Sequence, residues 1–219
     1  AYLFGDNYLE LYVNGEYAGR DAVGFTPFNS HVARYQVDYP ITYAVLLVDW
    51  EGHLGVGLED WEGGRLHIGD GGFIARFSDG AATDGTWRCR TFYVAPLDDP
   101  ACLVVDAQGN PDSSGCPSTD DSVACISNDP LTTCRAAHFP LPENWMSPEY
   151  DDTEWSPAVT YTADDVTRSP AFRNYEDTLF QGAEFIWSRG LELDNLVACR
   201  ATVAAPPNRG AGAARAPSP

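Results

Sequence analysis

Residues 6–19, DNYLELYVNGEYAG, constrain the fold more than any other stretch of this chain. Leu9, Leu11 and Val13 alternate with Tyr8, Glu10, Tyr12 and Asn14, the period of a strand with one buried face. Asn14-Gly15 follows directly, and a type I′ hairpin turn requires two residues that tolerate positive φ. The return strand over 16–18 is short and stops at Gly19. An antiparallel β architecture is therefore expected from the first residues onward.

The rest of the chain fits that start. With 219 residues and 44% hydrophobic content it can bury a full core, and all-β sandwiches of this length form one domain. Acidic residues number 32 and basic residues 13, all of them Arg, for a net charge of −19. Such a field repels phosphate backbones and anionic lipid, which argues against nucleic acid and membrane insertion as partners. It suits solubility, divalent cations or a basic partner. No apolar run approaches the roughly 18 residues of a spanning helix. The chain opens on Ala1 and holds one Met, Met146, as expected of a processed or excised product.

Six cysteines stand at 89, 102, 116, 125, 134 and 199, with none of the close pairs that zinc or thioredoxin-type sites use. A disulfide set in an oxidising compartment is expected, hence a secreted, extracellular or cell-surface protein. Cys102, Cys116, Cys125 and Cys134 crowd one loop-rich stretch and are expected to staple it internally. Cys89 shares a strand face with Trp87, and Cys199 with Val197, so both point inward and can pair with each other. Fifteen connectivities remain open to six cysteines.

Further strands are expected over 31–37, 43–50, 73–77, 86–94, 185–189 and 196–203. The run YAVLLVDW at 43–50 is nearly unbroken and predicts a central strand buried on both faces. Residues 51–72 are glycine-rich and read as a long functional loop. Residues 96–142 hold four cysteines and no sustained period, and read as a disulfide-stapled insertion. Thr162 and Asp165 have the spacing of a helix-capping box. From 204 to 219 the chain is Pro/Ala/Gly-rich and cannot bury a core of its own. The expected organisation is a sandwich over 1–203 with a tail over 204–219.

Four blocks together resemble the galactose-binding-domain-like β-sandwiches, especially the ancillary sandwiches of glycoside hydrolases such as bacterial rhamnosidases. They are Leu11-Tyr12-Val13-Asn14-Gly15 with Gly19 and 24–28; the apolar strand 44–48; Asp79-Gly80 with 83–88; and Trp145 with Pro148-Glu149-Tyr150-Asp151-Asp152-Thr153-Glu154-Trp155 and Ala158. They occur in the order those domains use and cover about 110 to 130 residues in patches. The resemblance implies an antiparallel jelly-roll β-sandwich and a carbohydrate context. In those enzymes catalysis belongs to a helical barrel, which these residues do not contain. The cysteine-rich insertion has no counterpart in the family.

Asp151, Asp152 and Glu154 invite a glycosidase pair of carboxylates. In a D-D-T-x-W turn, however, Asp and Thr cap backbone N–H groups and Trp anchors, so a structural role is expected. The four histidines lack metal or triad spacing, and no nucleophile elbow or phosphate-cradling loop occurs. The expectation is a chain without catalytic residues. Asp106, Asn110 and Asp112, with Asp120 and Asp121 beyond, offer oxygen ligands to a structural calcium, which the resemblance also implies. Trp50, Trp61, Asp49, Asp60 and Arg65 lie on or beside the glycine-rich loop and are the expected sugar contacts. Arg209 and Arg215 in the tail complement the acidic body, which predicts docking onto another copy or another extracellular protein. A non-catalytic structural or adhesive extracellular module that contacts glycans or neighbouring protomers is therefore expected. The alternatives are an ancillary domain of a glycoside hydrolase and a soluble lectin.

Overall fold

A computed structural model of the chain describes residues 1–23, 30–49, 52–61, 65–166 and 178–205; the side chains at 53, 54, 61 and 65 lie outside that description. The strands are β1 (Tyr2–Asp6), β2 (Tyr8–Val13), β3 (Glu16–Arg20), β4 (His31–Val32), β5 (Ile41–Val48), β6 (Glu59–Trp61), β7 (Arg65–His67) and β8 (Gly72–Arg76). They continue as β9 (Arg88–Leu97), β10 (Val104–Val105), β11 (Pro111–Asp112), β12 (Arg135–His138), β13 (Ser156–Pro157), β14 (Val159–Tyr161), β15 (Phe185–Trp187) and β16 (Asp194–Val203). Two antiparallel sheets form a sandwich. One has five strands in the order β14-β15-β8-β1-β4; the other has seven, β12-β9-β16-β5-β2-β3 with β13 also on β9. The chain crosses repeatedly between them, as in a jelly roll.

Between the sheets, Leu9, Leu11, Val45, Leu47 and Val197 of one layer meet Leu3, Phe73, Ile186 and Trp187 of the other. The apolar run predicted as a central strand is β5, which pairs with β2 on one side and β16 on the other. Cys89 and Cys199 lie directly opposite on β9 and β16 and are bonded to each other inside this core.

A second layer covers part of the outer face of the seven-stranded sheet. Trp145 and Trp155, each 2% exposed, pack there with Ala44, Phe92 and Ala198. Arg200 projects into it from β16 and is itself 2% exposed. Its Nε donates to Asp152 Oδ2 at 2.8 Å, and its terminal nitrogens donate to the carbonyls of Trp145, Ser147 and Tyr150. The guanidinium also lies 5.3 Å from the centre of the Tyr150 ring. Asp152 is thus the counter-ion of a buried arginine, Asp151 caps the Thr153 N–H at 3.0 Å, and Trp155 is an anchor.

The stapled insertion closes on itself through Cys102–Cys116 and Cys125–Cys134. Asp98 binds it to the end of β9 by accepting the N–H groups of Ala124 and Cys125. Residues 135–138 leave it as β12 and pair with β9. Thr162 and Asp165 form the expected reciprocal cap, with the Thr162 N–H donating to Asp165 Oδ2 at 2.8 Å and the Asp165 N–H to Thr162 Oγ1 at 3.3 Å. Two expectations change. Of residues 31–37 only His31–Val32 join a ladder, because β1 ends its pairing there. The glycine-rich stretch is not plain loop: Gly55 and Gly57, at φ 76° and 77°, turn the chain from a short helix, Gly52–Gly55, into the β6–β7 hairpin.

Candidate functional site

The first hairpin is locked at its tip. Asn14 and Gly15 take φ 49° and 83°, the paired positive values of a type I′ turn. The Asn14 side chain accepts the Thr42 N–H at 2.7 Å and donates to the Pro40 carbonyl at 3.1 Å, fastening the turn to the start of β5. Beyond the turn a bulge between Leu11 and Tyr12 shifts the register, so Arg20 rather than Gly19 stands opposite Glu10.

This shift assembles a polar and aromatic strip on the outer face. Both hydroxyls flanking Glu10 donate to its carboxylate, Tyr8 at 2.7 Å and Tyr12 at 2.8 Å. Burial and the Glu10 carboxylate push the Tyr12 hydroxyl up to about 12, so it stays a donor at physiological pH. The Tyr17 ring packs edge-on to Tyr12 with centroids 5.8 Å apart and remains 56% exposed. A fixed ring, a held carboxylate and a guanidinium thus share one surface. An apolar sugar face can stack on the ring while its hydroxyls meet Glu10 and Arg20.

Of the residues expected from sequence to contact sugar, Asp49 and Asp60 have described side chains. Asp49 is buried at 2% exposure where β5 ends, and Asp60 is exposed on β6. Trp50 and the side chains of Trp61 and Arg65 lie outside the described residues, as do Arg209 and Arg215. Of the calcium candidates, Asp106 and Asn110 meet: Asp106 accepts the N–H groups of Gln108 and Asn110 and the Asn110 amide. Asp112 turns instead to the Ser114 N–H and lies 3.5 Å from Arg189. Asp120 holds His67 at 2.8 Å and the Ile68 N–H at 2.9 Å. Among the described residues no group of three His, Cys, Asp or Glu side chains is placed to hold a metal ion.

A set of carboxylates that sequence reading missed converges at one end of the sandwich. Asp6 is 6% exposed; its Oδ1 accepts the Asn7 amide at 2.9 Å. Burial, and then the charges of Asp49, Asp70 and Glu59, hold its pKa well above the ordinary carboxylate value. Burial likewise raises Glu59. A carboxyl whose folded pKa is raised keeps a proton that the unfolded chain releases, so its contribution is complete at low pH. It is lost as pH climbs from about 3.9 through the raised value. The melting temperature should therefore fall as pH rises from 4 towards neutrality, and Asp6→Asn should flatten that fall. At pH 7 the variant should melt higher, by about 2–4 °C for each kcal/mol recovered. Scanning fluorimetry of both proteins from pH 4 to 8 checks this, and identical profiles would count against it.

A cleft of about 290 Å³ opens where the stapled insertion meets the β15–β16 connection, lined by Ser113, Ser114, Ser118, Tyr161, Arg189 and Glu192 among others. Its floor is rigid. Asp194, 1% exposed, accepts hydroxyl hydrogen bonds from Ser188 at 2.6 Å and from Thr91 and Ser113 at 2.7 Å. Gly190 is required beside it, since a Cβ there would stand 1.9 Å from Ser113 Oγ. These contacts join insertion and sandwich; among the described residues no exposed aromatic platform like Tyr17 accompanies them.

Comparison of the chain with protein families, characterised proteins and solved structures found no match. Three disulfides are formed, and among the described residues no helix is long and apolar enough to cross a membrane.

Proposed function

We propose that this chain is a non-catalytic, extracellular structural or adhesive module that contacts glycans through the outer face of its first hairpin. The observation that carries this is the exposed Tyr17 ring set against Tyr12, with Glu10 clamped between two tyrosine hydroxyls and Arg20 opposite. Carbohydrate recognition needs a flat apolar surface beside polar groups that do not move, and a β-hairpin in a packed sheet supplies both. The three disulfides favour an oxidising compartment, hence secretion or display at a surface. The blocks at 11–19, 44–48, 79–88 and 145–158 lend the galactose-binding-like resemblance to the same reading. An ancillary domain of a glycoside hydrolase and a soluble lectin would both use this face.

The test is a glycan array probed with the native chain, Tyr17→Ala and Glu10→Gln. Loss of the exposed ring should weaken binding by about tenfold or more, roughly 1.4 kcal/mol, with the melting temperature nearly unchanged. Glu10→Gln should weaken it less. A native chain that binds no glycan, or binding indifferent to Tyr17, would overturn the proposal.

A further inference from the structure

β3 is the terminal strand of the seven-stranded sheet. Residues 34–37 run past it with alternating exposed and half-buried side chains, the signature of a strand, yet join no ladder among the described residues. Between the two lies a cleft of about 220 Å³, walled by Val13, Glu16 and Ala18 on one side and Arg34, Tyr35 and Val37 on the other. It is a wedge. At its closed end the His31 side chain reaches across to β3, for a Cβ on Gly19 would stand 3.0 Å from His31 Nε2. At its open end stands Glu16, next to the Asn14-Gly15 turn.

The last described strand delivers the chain to that open end. Val203 of β16 lies opposite Ile41 of β5, and the Asn14 N–H bonds to the neighbouring Thr42 carbonyl at 2.9 Å. From β16 to a strand added outside β3 is four strand spacings, about 19 Å, and the six extended residue steps from Val203 to Arg209 span about 20 Å. Residues 204–208 are therefore long enough to bridge, and the segment after them has the composition to enter the cleft. Between Pro207 and Pro217 every residue carries a backbone donor, and apart from Asn208 and the two arginines all are Gly or Ala. Arg209 and Arg215, six apart, fall on one face of an extended segment. All 32 acidic residues precede the tail, so these two charges approach a strongly negative body.

We propose that the segment beginning at Arg209 adds as a strand to the edge of β3 in its own chain, between β3 and residues 34–37, with Arg209 paired to Glu16. Strand addition gives main-chain hydrogen bonds to both open edges, and only small side chains fit a wedge this narrow. Arg34 on the far wall leaves Glu16 as the carboxylate of the cleft for the incoming guanidinium. Docking within one chain is favoured because a short tether holds the segment at high effective concentration.

Amide hydrogen exchange of the full chain tests this. The amides of Ala18, Tyr35, Gln36 and Val37 should exchange about tenfold more slowly, or slower still, in the native chain than in Arg209→Glu. The charge-swapped pair Glu16→Arg with Arg209→Glu should restore the protection. Protection should not vary with protein concentration. Equal exchange in the native chain and Arg209→Glu overturns the proposal, as does a swap that restores nothing. Protection that grows with concentration, together with a dimer mass, overturns docking within one chain and assigns the cleft to a second copy.

Discussion

Arg200→Ala is expected to destabilise the chain by about 3–5 kcal/mol, a large part of the stability of an ordinary domain. The guanidinium is 2% exposed and serves Asp152 and three backbone carbonyls, those of Trp145, Ser147 and Tyr150. Truncation strands all four acceptors in a layer that also holds Trp145 and Trp155. Arg200→Lys should rescue little, because an ammonium cannot reproduce a planar fork that reaches a carboxylate and separate carbonyls together. Asp152→Asn should cost less, since Asp152 keeps partial access to water with a side chain 22% exposed. Urea titration of the three variants gives the order. If Arg200→Lys equals the native chain, the guanidinium geometry is not what holds the second layer.

The second large effect belongs to the core disulfide. Cys89 and Cys199 are 110 residues apart, whereas Cys125 and Cys134 are 9 apart. Loop-closure entropy assigns about 4.7 kcal/mol to a bridge across roughly 100 residues and about 2.5 kcal/mol to the shorter one. Replacing both Cys89 and Cys199 by Ala should therefore cost more than replacing both Cys125 and Cys134. Denaturation midpoints of the two double variants decide it. Equal losses would mean that the denatured chain is already constrained near these residues.

Much of the scaffold is written locally. Alternation and Asn14-Gly15 specify the hairpin, and the apolar run specifies β5. The faces shared by Trp87 with Cys89 and Val197 with Cys199 anticipate the core bridge. What sequence conceals is set by distant partners. Residues 34–37 have the pattern of a strand, but pairing is a property of the neighbour. Arg200 sits in a strand that reads as small and apolar; its burial depends on carbonyls delivered by residues 145–150. The three carboxylates around Asp6 come from separate segments, and no spacing joins them.

The candidate site shows both sides of this. The outward parity of Tyr8, Glu10 and Tyr12 is plain in the alternation, and it is the signal that points to an aromatic strip. The two-residue turn alone would place Gly19 opposite Glu10. The bulge that brings Arg20 there is a feature of the folded sheet, and without it the strip lacks its cation.

The bridge between β9 and β16 also changes how the chain answers to proteases. Residues 90–198 form a single covalent ring closed at Cys89 and Cys199, and the stapled insertion hangs from that ring. A cut in the exposed loops of the insertion opens the ring without releasing a fragment, since both new ends stay joined through the sulfurs and the β9–β16 ladder. The nicked chain would leave a non-reducing gel as one band and a reducing gel as two. In a compartment where proteases circulate, the molecule can lose backbone continuity and still keep its shape.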